Sequence, residues 1–149
     1  MATADLPADG PVSIWVCPRC DRQFGRVSQS HLCAPALSID AYFAGRDETQ
    51  RRIFEAISQQ LESVGPVHCE AVDVGILFKH ARTFAELRPR RRGMMLSLLL
   101  SRRLDNPRVT RIARPSRNRT AYGIRLFTPD EVDDEVRAWL TEAYADSPT

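Results

Sequence analysis

The chain has 149 residues, of which 43% are hydrophobic, and its formal net charge is +2. This length suffices for one domain of ordinary size and a small additional module. No apolar run is long enough to cross a bilayer, and the first ten residues lack the basic and apolar regions of a signal peptide. We therefore expect a cytoplasmic protein without a membrane partner, and nothing in the pattern indicates its oligomeric state.

A cluster of cysteine and histidine residues follows a short N-terminal segment. Residues 1–11 are rich in proline and aspartate, which predicts disorder. In the next unit, residues 12–36, a Cys-Pro-Arg-Cys turn holds Cys17 and Cys20, and His31 and Cys33 project to one side of an extended segment. Three thiolates and one imidazole form a closed tetrahedral set that suits structural zinc. We predict a zinc knuckle with these four ligands.

The ligand spacing separates this knuckle from two other motifs. In a ββα zinc finger, three to five residues separate the last two ligands, which share one helix face. Only one residue separates His31 from Cys33, so no DNA-reading helix is expected. A thioredoxin-like Cys-x-x-Cys motif would leave both of these residues unexplained, and no βαβ pattern surrounds it. Because three of the four cysteines cluster here, a metal is favoured over disulfides in a reducing compartment.

Two helices are predicted between the knuckle and the first strand. Ser38 caps a short helix that a glycine ends. Asp47 caps a longer helix, with Gln50 three residues later as in a capping box, and a Gly-Pro pair ends it. The apolar stripe of the longer helix, which needs a sheet to pack on, consists of Phe54, Ile57, Leu61 and Val64.

The rest of the chain predicts an antiparallel sheet and a C-terminal helix. Three apolar runs within Val74–Ser101 are separated by polar corners, which is typical of a meander, and the third run is apolar at both parities. We therefore expect a central strand covered on both faces. Further strands are predicted at Val67–Val72, Arg108–Arg114 and Ala121–Phe127. A capping box at Thr128–Glu131 begins the last helix. Residues 37–149 should form an α+β domain whose sheet of about five strands is packed by an N-terminal and a C-terminal helix.

A series of motifs extends over almost the whole chain. The Cys-Pro-x-Cys and His-x-Cys pairs come first, followed by a helix ending in Gly-Pro-Val and then by Phe-Lys-x-x-Arg-x-Phe-Ala. An arginine-rich proline turn, Arg-Arg-Leu-Asp-x-Pro-Arg and Asp-Asp-Glu-Val with Trp-Leu-x-x-Ala-Tyr complete the series. This order resembles an uncharacterised bacterial family that carries a domain of unknown function. The resemblance implies an α+β domain behind a zinc knuckle, without an established activity or catalytic residues.

Basic residues are concentrated in the middle of the chain. Residues 79–125 hold 14 basic and 2 acidic residues, whereas residues 126–149 hold 1 and 7. All the basic residues except Lys79 are arginines, which suit bidentate contacts with phosphate or carboxylate. A solvated sheet face is the simpler explanation. The alternative is an anion-binding strip, whose candidate residues are Arg88, Arg90, Arg91, Arg92, Arg102, Arg103, Arg111, Arg114, Arg117 and Arg119.

Three classes of function remain open for this strip. The favoured one is association with DNA or RNA through phosphate contacts, with the zinc knuckle as a second contact. The second is a protein-interaction or small-anion-binding domain without a nucleic-acid role, and the third is an enzyme. The Arg90–Arg92 turn and the Arg117–Arg119 loop both join antiparallel strands, and a meander can bring such turns to one sheet edge. There they would form a positive rim.

Catalytic motifs are missing from the sequence. It contains no HExxH, GxSxG, Walker or glycine-rich dinucleotide motif. His68 and Cys69 are neighbours on a predicted strand and therefore point to opposite faces. Cys69 with His80 is a geometric alternative, but burial of a small core thiol is the simpler interpretation. We therefore expect a binding module and not an enzyme.

Overall fold

The structure is a computed structural model that describes residues 14–31, 33 and 36–147. The disorder predicted for residues 1–11 lies outside these residues. The helices are α1 Ile39–Phe43, α2 Glu48–Val64 and α3 Asp134–Asp146, and a 3-10 turn spans Pro129–Glu131. The strands are β1 Trp15–Val16, β2 Gln23–Phe24, β3 His68–Val72, β4 Gly75–His80, β5 Arg82–Pro89, β6 Met94–Leu100, β7 Val109–Ala113 and β8 Thr120–Leu126. Within the described ranges, no helix has the length and apolar character needed to span a membrane.

Strands β3 to β8 form one antiparallel sheet in the order β3-β4-β5-β6-β8-β7. The α+β class is confirmed, but the sheet has six strands and not five. β1 and β2 pair separately as a small hairpin in the N-terminal module. The strand order follows the chain as far as β6, and then β8, rather than β7, pairs with β6. β7 is therefore an edge strand.

The exchange of β7 and β8 separates the two arginine-rich turns. The Arg90–Arg92 turn precedes β6, whose first residue pairs with the last residue of β8. The Arg117–Arg119 loop precedes β8, whose first residue pairs with the last residue of β6. The two turns thus lie at opposite ends of a strand that is about 20 Å long. The prediction that they meet at one edge of the sheet is wrong.

Helices α2 and α3 pack against one face of the sheet and enclose the main core. Phe54, Ile57 and Leu61 are buried as predicted, but Ile53 completes the stripe of α2, because Val64 is only half-buried. The helix α3 contributes Val136, Trp139, Leu140 and Ala143. From the central strand β6, the fully buried side chains on this face are Met94, Leu96, Leu98 and Leu100. Burial of each large aliphatic side chain contributes about 1.5–3 kcal/mol.

Gln50 has a different role from the predicted one. Ser38 and Asp47 accept hydrogen bonds from backbone N–H groups, so both predicted N-caps are confirmed. Gln50, however, is buried, and its Nε2 donates to the carbonyl oxygens of Arg90 at 3.3 Å and Gly93 at 3.1 Å. The side chain therefore attaches the β5–β6 turn to α2 instead of completing a capping box.

The C-terminal helix begins later than predicted. The capping box formed by Thr128 and Glu131 exists, but it closes only the 3-10 turn. The helix α3 starts at Asp134, after the carboxylate of Asp133 accepts a hydrogen bond from the backbone N–H of Val136 at 3.1 Å. One predicted helix is thus two consecutive elements with separate caps.

The other face of the sheet is only partly covered. The N-terminal module contacts β3 and β4 there, where Gln23 forms hydrogen bonds with Glu70 and Lys79. Farther along this face, Ser97 and Leu99 of β6 line an open groove. The prediction that β6 is covered on both faces is therefore correct for the face that packs against the helices, whereas on the other face Met95 is buried and Ser97 and Leu99 are only half-buried.

Candidate metal centre and basic groove

The four predicted ligands come together in the N-terminal module. Cys17 and Cys20 lie on the turn between β1 and β2, and His31 and Cys33 return to them after β2. One ligand atom from each of the four residues lies within 4.8 Å of the other three. The cysteines are free thiols and not disulfides. This Cys₃His cluster can hold one metal ion, and we call residues 14–31 with Cys33, which carry it, the metal-binding module.

The separations within the cluster fit the edges of a tetrahedron. Zinc binds sulfur at about 2.3 Å and nitrogen at about 2.0–2.1 Å, which implies S–S edges of about 3.8 Å and S–N edges of about 3.6 Å. The Sγ atoms of Cys17 and Cys33 are 3.7 Å apart. His31 Nε2 lies 3.4 Å from Cys20 Sγ and 3.3 Å from Cys33 Sγ. The residues therefore fit a tetrahedral ion of this size.

The ring of His31 is held in an orientation suited to metal binding. Its Nδ1 lies 2.6 Å from the backbone oxygen of Gln29. Since a carbonyl oxygen can only accept, Nδ1 carries the proton and Nε2 presents its lone pair to the thiols. The ring also packs on Phe24, with centroids 4.2 Å apart, and edge-on against Trp15 at 6.1 Å. These two aromatic residues form an apolar cover over the cluster.

The thiols of the cluster differ in acidity. Burial raises the pKa of Cys17, but backbone N–H groups at Arg19 and Cys20 and the Cys33 thiol outweigh burial and lower the pKa to about 6. Burial and the neighbouring Cys17 and Cys20 raise the pKa of Cys33. One thiolate thus forms readily, and further thiolates repel it. A bound cation relieves this repulsion, because thiolates are the form that coordinates metal.

A buried ion-pair network joins the metal-binding module to the sheet. Glu70 of β3 and Lys79 of β4 are only 1% and 4% exposed, and their charged groups are 2.7 Å apart. The Glu70 carboxylate also accepts from Arg22 Nε at 3.1 Å and from the backbone N–H of Gln23 at 2.8 Å. His68 Nε2 lies 3.1 Å from the same carboxylate. A carboxylate of the sheet thus holds two residues of the module.

The charges of this network are mutually stabilised. Burial raises the pKa of Glu70, but hydrogen bonds from Lys79, the Gln23 backbone and Arg22 outweigh it, so the pKa lies below its usual value. Burial lowers the pKa of Lys79, and the Glu70 carboxylate opposes that shift. Lys79 Nζ also donates to the backbone oxygen of Gln23 at 2.6 Å and lies 4.2 Å from the ring centroid of Phe24. The ammonium group of Lys79 is therefore fully engaged in contacts that join the module to the sheet.

The module also approaches the sheet closely at Gly25. A Cβ atom at this position would lie 2.9 Å from Arg82 Cγ and 3.0 Å from the backbone oxygen of Ala81. Ala81 has a φ of 69° in the tight β4–β5 turn. A glycine is therefore required for the module to lie directly on this turn.

Two adjoining cavities lie on the open face of the sheet. The larger has a volume of about 510 Å³ and lies between the metal-binding module and the β7–β8 loop. The second, of about 420 Å³, extends over β5, β6, β8 and β7. Leu77, Thr83 and Pro115 line both, so the two cavities adjoin each other. We call the larger one the junction pocket and the second one the sheet groove.

The ten predicted arginines fall into separate groups. Those that line the sheet groove are Arg88, Arg90, Arg111 and Arg114. Arg102 forms a bidentate ion pair with Glu142 of α3, and Arg103 lies 3.9 Å from Asp105, so neither belongs to the groove. The exposed turn residues are Arg91, Arg92 and Arg117. Arg119 is half-buried and donates to the backbone oxygen of Thr83 at 3.2 Å.

Sequence reasoning missed the role of the Glu70 network. Glu70 and Lys79 stand at polar positions of neighbouring strands, and the register places Lys79 opposite His68. Two opposite charges on the same face of two neighbouring, largely apolar strands indicate a buried ion pair, and the sequence contains this pattern. What covers them could not be predicted, since the contact with Arg22 spans 48 positions of the chain.

The fold and the cluster define an α+β domain with a six-stranded antiparallel sheet, preceded by a Cys₃His module that can bind a metal. The model of the family described as Domain of unknown function (DUF5655) matches residues 39–147, and the chain belongs to this family. The match begins at α1, so the metal-binding module precedes the matched region. No curated protein and no solved structure matches the chain.

Proposed function

We propose that the protein is a nucleic-acid-binding module in which the sheet groove contacts the phosphate backbone and zinc stabilises the N-terminal module. The observation that carries the proposal is the charge of the groove. Four arginines line it, and Glu86, the one acidic residue among its described lining residues, is paired with Arg88 at 2.8 Å. Arg90, Arg111 and Arg114 form no ion pair with a described residue.

The extent of the groove favours a polyanion over a small anion. Arg90 lies at one end of β5, whereas Thr83 and Pro115 line the groove near the other end. The distance from Arg90 to Thr83 along an extended strand is about 23 Å. A single phosphate or carboxylate contacts one or two arginines, whereas a backbone of regularly spaced phosphates reaches all of them.

The lining favours binding that is independent of base sequence. Among the described residues, Phe24 is the one aromatic residue that lines either cavity, and it is only 5% exposed. Proteins that read single strands present several exposed aromatic rings for base stacking. We therefore propose contacts with phosphates and sugars, whose strength depends on salt.

We also propose that the protein is a binding module and not an enzyme. Burial, with a smaller effect of Glu62, raises the pKa of Cys69 to about 11, so this thiol is protonated and weakly nucleophilic at neutral pH. Glu70 and Lys79 are engaged with each other and with the metal-binding module. For the cluster we propose zinc, because three thiolates and one imidazole are a typical structural zinc set.

The test compares two variants that remove the same charge. Arg111→Ala/Arg114→Ala removes two groove arginines, and the control Arg102→Ala/Arg103→Ala removes two arginines outside the groove. Fluorescence anisotropy with random-sequence DNA and RNA is measured over a series of salt concentrations. For duplex DNA, we expect the groove variant to bind more weakly than the wild type. The magnitude of its log–log salt slope should be smaller by about 1.8, since each phosphate contact contributes about 0.9.

The control variant should keep most of the wild-type affinity. Equal weakening of both variants would mean that only the net charge matters and would contradict a role of the groove. If micromolar wild-type protein binds neither DNA nor RNA at low salt, the proposal is wrong, and a protein partner or a small anion is left for the groove.

A further inference from the structure

The junction pocket differs from the sheet groove in shape and in composition. Its volume of about 510 Å³ lies within the range of sites for small organic ligands. One wall is the metal-binding module, and the opposite wall is the start of the β7–β8 loop. Phe24, Leu77, Ala81 and Pro115 supply apolar surface, and Gln29 and Ser116 add polar groups. The pocket is thus suited to a ligand with an apolar body and a polar head.

The charge of the pocket comes from two arginines that have no partner within the described part of the chain. Arg22 and Lys79 line it, but both are paired with Glu70. The guanidinium groups of Arg26 and Arg82 form no hydrogen bond or ion pair with any residue that the structure describes. Of the residues that the structure describes, none that lines the pocket is acidic. Two positive charges that no described residue compensates therefore face a cavity large enough to hold a ligand.

Arg119 adds to the excess of positive charge beside Arg82. Its Nε is buried without a hydrogen-bond partner among the described residues, and only its Nη2 donates, to Thr83. Burial lowers the pKa of Arg119, Asp146 opposes this shift, and the charge of Arg82 adds to it. An anion bound at Arg82 would reduce this repulsion.

We infer that the junction pocket binds a nucleoside phosphate monoester, with Arg26 and Arg82 on the phosphate and the apolar walls on the nucleoside. A monoester carries a charge of about −1.5 to −2 at neutral pH, whereas a phosphodiester within a strand carries only one negative charge. Two guanidinium groups match the monoester, and each can donate two parallel hydrogen bonds.

The pocket adjoins the sheet groove at Leu77, Thr83 and Pro115, so the monoester can be the terminal phosphate of a strand bound in the groove or a free mononucleotide. The first source rests on the proposed function of the groove, and the second does not. Because the metal-binding module forms one wall, the inference also requires this module to be folded. All measurements therefore use the full chain saturated with zinc.

The experiment compares one single-stranded oligonucleotide without a terminal phosphate, with a 5′-phosphate and with a 3′-phosphate. AMP and adenosine are titrated separately by calorimetry. The variant Arg26→Gln/Arg82→Gln removes both charges from exposed side chains, and Arg91→Gln/Arg117→Gln removes two exposed charges elsewhere. Urea unfolding curves of both variants should match that of the wild type.

We expect one of the phosphorylated oligonucleotides to bind wild-type protein about tenfold more tightly than the unphosphorylated one. The Arg26→Gln/Arg82→Gln variant should lose this preference, and Arg91→Gln/Arg117→Gln should keep it. AMP should bind the wild type and the second variant only, and adenosine should bind more weakly than AMP.

The outcomes separate this inference from the proposed function. If all three oligonucleotides bind equally with a steep salt dependence, and AMP does not bind, the groove proposal stands and the inference is wrong. The inference is also wrong if Arg26→Gln/Arg82→Gln weakens the binding of all three oligonucleotides equally and AMP does not bind. If AMP binds through Arg26 and Arg82 but no oligonucleotide binds, the inference holds for a free mononucleotide and the groove proposal fails.

Discussion

Replacement of Glu70 tests how firmly the metal-binding module is attached to the sheet. Glu70→Gln keeps the shape of the side chain but removes the charge that faces Lys79 and Arg22 at 2.7 Å and 3.1 Å. Loss of one partner from a buried ion pair costs about 3–5 kcal/mol, because the other charge stays buried without compensation. A glutamine oxygen can still accept from Lys79 or from the backbone N–H of Gln23, so we expect the lower value, about 3 kcal/mol.

The same geometry predicts strong coupling between Glu70 and Lys79. Once Glu70→Gln is present, Lys79→Met removes the uncompensated ammonium group. The double variant should therefore be more stable than the sum of the two single effects predicts, by about 1–3 kcal/mol. The loss in Glu70→Gln alone corresponds to a decrease in Tm of about 6–12 °C for a chain of this size.

These free energies are measured by urea unfolding of the zinc-saturated proteins. Unfolding is monitored by the fluorescence of Trp15 in the module and Trp139 in the core. The matched control is Glu142→Gln, which breaks the exposed pair with Arg102 and should cost no more than about 1 kcal/mol. If Glu70→Gln costs as little as the control, or if the effects of Glu70→Gln and Lys79→Met are additive, the buried network does not stabilise the fold.

Three further predictions concern the metal, a turn and acid. Cys17→Ser should lower the metal content from one zinc per chain to a fraction of that in elemental analysis, and an unchanged content would contradict the ligand set. Gly93→Ala should cost more than about 2 kcal/mol in urea unfolding, because φ is +69° and a Cβ would lie 2.2 Å from the backbone oxygen of Leu126. Gly45→Ala, where φ is +77° and nothing lies within 4 Å, should cost only about 1 kcal/mol. Because the folded pKa of Glu70 is lowered, its contribution is complete above about pH 4.3 and is lost as the pH falls through the folded pKa. The difference in stability between wild type and Glu70→Gln should therefore narrow in acid.

The features that sequence reasoning predicted correctly are local. Ser38 and Asp47 are N-caps because their side chains reach a backbone N–H within the next three residues. The Cys₃His set spans only 17 positions of the sequence, from Cys17 to Cys33, and its ligand types restrict the chemistry. Amphipathic spacing similarly identified three of the buried positions of α2. In each case the residues that decide the structure are neighbours along the chain.

The features that it missed depend on partners far apart in sequence. In a simple meander, β7 would follow β6 in the sheet, and the Arg90–Arg92 turn and the Arg117–Arg119 loop would lie at the same end. The segment 101–108 instead carries the chain past the position of β8, which reverses the direction of β7 and moves the loop to the other end. The role of Gln50 differs from that of a capping residue for the same reason, since its acceptors lie 40 and 43 positions away.

The metal-binding module precedes the region that the family model matches, yet the matched domain contains a buried ion pair that this module covers. Glu70 and Lys79 lie on the face of the sheet opposite the helices, where an uncovered ion pair would be solvated and would contribute little. They are 1% and 4% exposed because Gln23 and Phe24 of the module lie over them. The residues of the module that lie against the sheet also form one wall of the junction pocket. A buried ion pair on the otherwise open face thus marks where the module packs on the sheet, beside the junction pocket.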